Sequence, residues 1–350
     1  MSMTPFERVM ARLQGLPVDR VPNLSILMTF AAKYIGKHYD QYVKDYRILV
    51  EGNLRCCQDF QIDMLSAISD PMRETHAFGA QVVFPLNDVP YSPLPFINSY
   101  KDLDKLSIKS PLNEVRLFDR VKAIELYKKE CAQEYPILGW VEGAFAEACD
   151  LHGITETMND LYEAPEFLID LLEICTQQAI VFAESQIEYG ADFIGIGDAA
   201  ASLISPKMYQ KFVLPYEKRI IQAIHAKGAR AKLHICGNIT SLLPYLSETE
   251  ADIIDVDYPV NFSTAIQIFG KTISACGNFE PCEVLYLGDP NRVKAAVESC
   301  VAIAANNTMI APGCEVPRDT PVENLKAISK TLWEIAENHS DSTQQGFSSY

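Results

Sequence analysis

From Asp192 to Glu337 the sequence alternates short apolar runs with longer amphipathic stretches, and this rhythm restricts the available folds more than any other feature of the chain. Asp192–Ile196, Arg230–Ile235, Ile253–Val256, Thr272–Ala275 and Thr308–Ile310 are short and apolar, as strands buried on both faces are. Each is followed by a stretch with helical patterning: Pro206–Lys227, Ser241–Leu246, Ser263–Phe269, Pro290–Ala304 and Pro321–Glu337. Strands separated by helices can pair only in parallel, because each return to the same end of the sheet needs a crossover.

Three further units precede these. Strands are predicted at Pro22–Met28, Met64–Ile68 and Pro136–Val141, with helices over Asp40–Asp59, up to Gly79, over Leu117–Glu130 and over Pro165–Tyr189. The sum is eight strand–helix units, which predicts an α/β fold of the (β/α)8 TIM-barrel type. An open doubly wound sheet is the alternative, but no Gly-x-Gly-x-x-Gly turn follows the first strand. A helix from Thr4 to Leu16, within an N-terminal segment 1–20, is expected to cover the barrel. The prolines at 85, 90, 93 and 95 break residues 81–96 into an excursion of short strands and turns. With 350 residues, 48% of them hydrophobic, the chain is read as one domain over 1–338, and the polar residues 339–350 as a flexible tail.

A formal charge of −16 leaves no basic surface for nucleic acid and would be repelled by an acidic membrane. No run of 18 apolar residues is present, and Met1–Arg8 lacks the basic-then-apolar pattern of a leader, so a cytoplasmic protein is expected. Ten cysteines are too few for a disulfide scaffold; Cys131, Cys149, Cys175 and Cys300 sit in helix-like surroundings as small apolar core residues.

In a (β/α)8 barrel the chemistry collects where the C-terminal ends of the strands converge. Those ends carry Asp70, Glu142, Asp198, His234 with Cys236, Asp257, Cys276 with Asn278, and Cys314. Residues two apart on a strand point the same way, so His234 and Cys236 can share a metal ion. Taken alone, a His-x-Cys is more often a packed imidazole beside an inert thiol. Cys314 changes that balance, because the barrel brings it to the same mouth from 78 residues away. One imidazole and two thiolates suit Zn²⁺, with the fourth position open to Asp257, Glu142, water or a substrate thiol. Asp198 and Asp70 have an ordinary alternative as helix caps, and Glu142 as a salt-bridge partner. Cys276 is read as a packed strand-end residue, and the other five histidines as structural or surface groups.

Trp140-Val141-Glu142-Gly143, His234-Ile235-Cys236-Gly237-Asn238, Cys276-Gly277-Asn278-Phe279 and Pro312-Gly313-Cys314-Glu315-Val316-Pro317 resemble the uroporphyrinogen decarboxylase superfamily. Within it they are most similar to the zinc-dependent methylcobamide:thiol (coenzyme M type) methyltransferases and related corrinoid enzymes. The resemblance implies His234, Cys236 and Cys314 as zinc ligands, with Asp257 beside them by a fainter similarity to cobalamin-independent methionine synthase. It implies a methylcobamide as co-substrate, carried by a partner corrinoid protein and placed against Gly197, Asn238 and Asn278. It further implies a small methyl donor or acceptor, with Asp198, Glu142 and Asp70 as catalytic groups; a homodimer is left open. Decarboxylation of uroporphyrinogen is the alternative activity, kept by the position of Asp70. Against it stand the absence of Arg from Leu27–Tyr34 and the Cys at 314. A non-catalytic tetrapyrrole-binding barrel is the third reading.

Overall fold

The computed structural model describes residues 2–131 and 133–345. Its centre is one sheet of seven parallel strands in chain order: β1 (Leu65–Ser66), β2 (Ile137–Glu142), β3 (Phe193–Gly197), β4 (Arg230–His234), β5 (Ile253–Val256), β6 (Ser274–Phe279) and β7 (Met309–Pro312). Each neighbour pairs in parallel, as the strand–helix alternation requires. One row of register crosses the sheet through Glu142, Gly197, His234, Asp255 and Cys276, so groups far apart in sequence stand side by side.

The strand expected at Pro22–Met28 is extended but forms only one parallel bridge, Asn23 to Ile310. The amide of Leu24 donates to the Ile310 carbonyl (2.9 Å) and that of Ile310 to Pro22 (3.0 Å), while Asp63 N donates to the Asn23 carbonyl (2.8 Å). The segment therefore lies between β7 and the approach to β1, curling the sheet into a TIM-barrel-like arrangement. Its ladder is short for a local reason. Pro22 has no amide hydrogen, the Asn23 amide donates to the Asp63 carboxylate (2.7 Å), and the Ser25 amide donates to the Asn23 side chain (3.2 Å).

The helices follow their caps and apolar faces. Thr4 caps the Pro5–Leu13 helix in a reciprocal box with Glu7. From that helix Arg8 pairs with Asp63, and Arg12 donates to the Thr308 carbonyl, both just ahead of strands. The Pro165–Glu188 helix buries Phe167, Leu168, Leu171, Leu172, Cys175, Ala179 and Phe182 on one face. Each large side chain there contributes roughly 1.5–3 kcal/mol by leaving water. The stretch predicted as one helix over Pro206–Lys227 is two, Pro206–Phe212 and Leu214–Ala226, because Pro215 supplies no amide to continue the first. Residues 81–96 contain one antiparallel bridge, Val83 to Tyr91, within turns. The final helix, Val322–Gln345, carries its backbone through the first part of the expected tail, and 346–350 lie outside the described residues. Among the described residues no helix is long and apolar enough to cross a membrane.

Candidate metal centre

His234 ends β4, and Gly237, with φ +87°, turns the chain so that the Cys236 side chain comes back over the strand end. Cys314 arrives from the turn after β7. The three side chains converge: His234 Nε2 lies 2.9 Å from Cys236 Sγ and 3.8 Å from Cys314 Sγ, and the two sulfurs are 3.5 Å apart. Among the described residues this is the one group of three or more His, Cys, Asp or Glu side chains whose ligand atoms fall within 4.8 Å of one another. Zinc–sulfur and zinc–nitrogen lengths with a tetrahedral angle would separate the atoms by about 3.6 Å (N to S) and about 3.8 Å (S to S). The donor set and its spacing fit such an ion. Cys314 is drawn down to about 4 by the hydrogen bond from Cys236 and by His234, against burial, whereas Cys236 is pushed up by the same bond and by burial.

Two residues not singled out from the sequence hold the imidazole. Asp255 accepts from His234 Nδ1 at 3.0 Å and is ion-paired with Lys232. Burial opposes the Asp255 charge, but Lys232 and the His234 hydrogen bond outweigh it and keep the carboxyl at about 2. Being ionised, it can only accept, so Nδ1 carries a hydrogen and Nε2 is the ring nitrogen left to face the sulfurs. The signal available in the sequence is a charge in the middle of each of two short strands, Lys232 two residues before His234 and Asp255 two before Asp257.

Asp257 stands beside the group and not within it. Its Oδ2 accepts from the Gly237 amide and its Oδ1 from the Tyr258 amide, both at 2.7 Å. A Cβ on Gly313 would fall 2.4 Å from Asp257 Oδ1 and 2.5 Å from Tyr258 N. Only glycine lets the Cys314 turn press this closely on the Asp257 turn. Asp257 thus ties together the two turns that carry the cysteines.

The three donors open into a cavity of about 200 Å³ whose wall includes Met28, Ile68, Asp70, Trp140, Glu142 and Glu315. Glu142 Oε1 accepts from Trp140 Nε1 (3.0 Å). Burial, reinforced by Glu74 and Asp150, raises its carboxyl well above the usual range. Glu315, also overlooked in the sequence, accepts from both the amide (2.9 Å) and the hydroxyl (2.7 Å) of Thr29. Asp70 reaches the wall but is bound to Arg116 (2.6 Å), Ser69 (2.6 Å) and the Met72 amide (3.2 Å). Burial works against its charge, yet Arg116 and Arg73 hold it at about 2.

The other expected positions lie differently. Asp198 does not line the cavity; its Oδ1 accepts from the Ala146 amide (2.9 Å) at the start of the Ala144–His152 helix, and burial raises it to about 7. Gly197 lines the cavity, but the room at β3 is already used by this chain. A Cβ on Gly195 would sit 2.1 Å from the Trp140 indole, and one on Gly197 2.9 Å from it and 3.2 Å from Glu142. The Asn238 side chain accepts from the Thr240 amide (3.1 Å) and hydroxyl (2.7 Å), while Asn278 Nδ2 donates to the Val260 carbonyl (2.8 Å). Both tie loops locally. Cys276 is buried in β6, as expected.

The chain is similar to known proteins over most of its length. The methylcobamide:CoM methyltransferase MtbA of Methanosarcina acetivorans is 28% identical over 329 residues, 92% of this chain and 96% of that protein. The uroporphyrinogen decarboxylase of Trichlorobacter lovleyi is 26% identical over 284 residues, 76% of this chain and 80% of that protein. A solved structure of a methyltransferase from Methanosarcina mazei superposes with a TM-score of 0.88 at 22% identity, over 95% of this chain and 99% of that one, a likeness of fold. The uroporphyrinogen decarboxylase (URO-D) family profile matches residues 4–335, and the chain belongs to that family.

Proposed function

We propose that this protein is a zinc-dependent methyltransferase that moves a methyl group between a corrinoid, carried by a partner protein, and a thiol or other small methyl donor or acceptor. The convergence of His234 Nε2, Cys236 Sγ and Cys314 Sγ at one cavity carries this reading. The similarity to methylcobamide:CoM methyltransferases over most of the chain supports it. A zinc ion in such a site holds a thiol as thiolate at neutral pH, a strong nucleophile toward a methyl group.

The chain's own residues supply the rest. Asp255 and Lys232 fix the His234 ring and its tautomer, and Asp257 sets the separation of the two cysteine turns. Met28, Ile68 and Trp140 give the cavity an apolar wall, beside which polar interactions are stronger than in bulk water. Glu142, fixed by Trp140, lines the cavity as a buried carboxyl held well above its usual range, with Oε1 engaged by the indole. A cavity of about 200 Å³ has no room for a macrocycle, so a corrinoid would have to be held from outside it. In this reading the chain is a (β/α)8 barrel with residues 21–28 as its eighth stave and the Pro5–Leu13 helix across the far end.

Uroporphyrinogen decarboxylation fits less well. A tetrapyrrole bearing eight carboxylates needs cationic partners, and the cavity wall offers neither Lys nor Arg. The deciding experiment combines zinc analysis with the visible spectrum of methylcobalamin on addition of a thiol. Demethylation of the corrinoid by zinc-loaded protein is expected; coproporphyrinogen formation without metal would replace this reading with the decarboxylase.

A further inference from the structure

We infer that the cavity is built to take a small thiol that is uncharged or cationic, and to reject one carrying a permanent negative charge. This rests on the methyltransferase reading and adds the substrate class. The side chains reaching the wall beside the metal-binding atoms include three carboxyls, Asp70, Glu142 and Glu315, with Ile26, Met28 and Ile68 between them. Among the described residues no lysine or arginine lines the space. The cations behind the wall are already engaged: Arg116 and Arg73 lie 2.6 and 3.4 Å from Asp70 Oδ2, and Lys232 is paired with Asp255.

The donors that serve the wall carboxyls are engaged in the same way. The Thr29 amide and hydroxyl serve Glu315, the Met72 amide serves Asp70, and the Trp140 indole serves Glu142. A sulfonate or carboxylate entering here would give up its water and find no cation to replace it, a cost that buried anions do not recover without a partner. The opposite holds for an ammonium. Glu142 is only 7% exposed and its Oε2 accepts no hydrogen bond among the described residues, leaving one carboxyl oxygen for a cation that enters the cavity. A neutral thiol meets the apolar part of the wall without either effect.

Three two-carbon thiols of matched size test this: 2-aminoethanethiol, 2-mercaptoethanol and 2-mercaptoethanesulfonate. Their dissociation constants are read from the visible spectrum of the cobalt(II)-substituted protein, and their kcat/KM values from methylcobalamin demethylation. The cationic and neutral thiols are expected to bind at least tenfold more tightly than the sulfonate. Glu142→Gln is expected to erase most of the advantage of the ammonium over the neutral thiol, read as the ratio of their dissociation constants in the same variant. Sulfonate binding as tight as the others, in the wild-type protein alone, overturns the inference while leaving the methyltransferase reading intact. A cobalt spectrum that responds to none of the three overturns that reading, and the inference with it.

Discussion

Replacing Asp255 separates two effects that the structure combines in one carboxylate. Asp255 neutralises Lys232, whose side chain is 1% exposed, and orients His234 through Nδ1 at 3.0 Å. Asp255→Asn removes the charge and leaves the buried Lys232 ammonium without its counter-ion, which costs about 3–5 kcal/mol. In a chain of this size that lowers the melting temperature by roughly 4–7 °C. Loss of the charged acceptor behind a metal-ligating histidine also weakens metal binding by about 10–100-fold. The double variant Lys232→Met/Asp255→Asn distinguishes the two, because it removes the stranded cation without restoring the carboxylate. Differential scanning fluorimetry is expected to show most of the lost stability regained. Zinc competition against a chromophoric chelator is expected to show affinity still reduced at least tenfold. If the double variant recovers both stability and zinc affinity, Asp255 serves only Lys232, and the orientation of His234 does not depend on it.

Other outcomes follow from the same geometry. Asp257→Ala leaves the Gly237 and Tyr258 amides without their shared acceptor and is expected to weaken zinc binding about tenfold, by chelator competition, with the ligand set unchanged in the cobalt(II) spectrum. Gly313→Ala forces the Cys314 turn away from Asp257, since the new Cβ would meet backbone at 2.5 Å; zinc content is expected to fall while far-ultraviolet circular dichroism is retained. Asp198, with its carboxyl raised by burial from 3.8 to about 7, binds its proton more tightly in the folded chain than in the unfolded one. Stability contributed by that protonated form is present below the unfolded value and is lost as pH rises toward 7, by at most roughly 4 kcal/mol. Asp198→Asn keeps the acceptor for the Ala146 amide without the titration, so its melting temperature relative to wild type should improve between pH 5 and pH 8; an unchanged difference would contradict the assignment.

The sequence made the parallel sheet legible because buried strands and amphipathic helices leave different periods, and from Asp192 onward little interrupts them. The segment at Pro22–Met28 reads as a strand for the same reason, yet pairing depends on amide hydrogens that Pro22 lacks and that Asp63 and the Asn23 side chain capture, a detail no hydropathy pattern carries. His234, Cys236 and Cys314 were readable because strand ends in such a fold share a rim and because soft ligands are chemically distinctive. The carboxylates were harder. Asp70, Asp198 and Asp257 all follow strands, but the partners that occupy their oxygens are backbone amides and arginines from other units. Glu315 was hidden by its neighbour: next to Cys314 it passed as part of a turn, and only the fold brings Thr29 against it. Gly197 is expected from the sequence against a ligand, but the sequence does not show that Trp140 and Glu142 occupy the space over β3, where register sets them opposite Gly195 and Gly197.

Zinc-edge X-ray absorption of the freshly purified protein tests the central claim most directly. One equivalent of zinc is expected, with two sulfur scatterers at about 2.3 Å and nitrogen or oxygen at about 2.0–2.1 Å, and a third sulfur on addition of 2-mercaptoethanol. Cys236→Ser is expected to remove one sulfur or to lose the metal. Less than about half an equivalent of zinc, or a spectrum fitted by nitrogen and oxygen alone and indifferent to the thiol, would contradict the account.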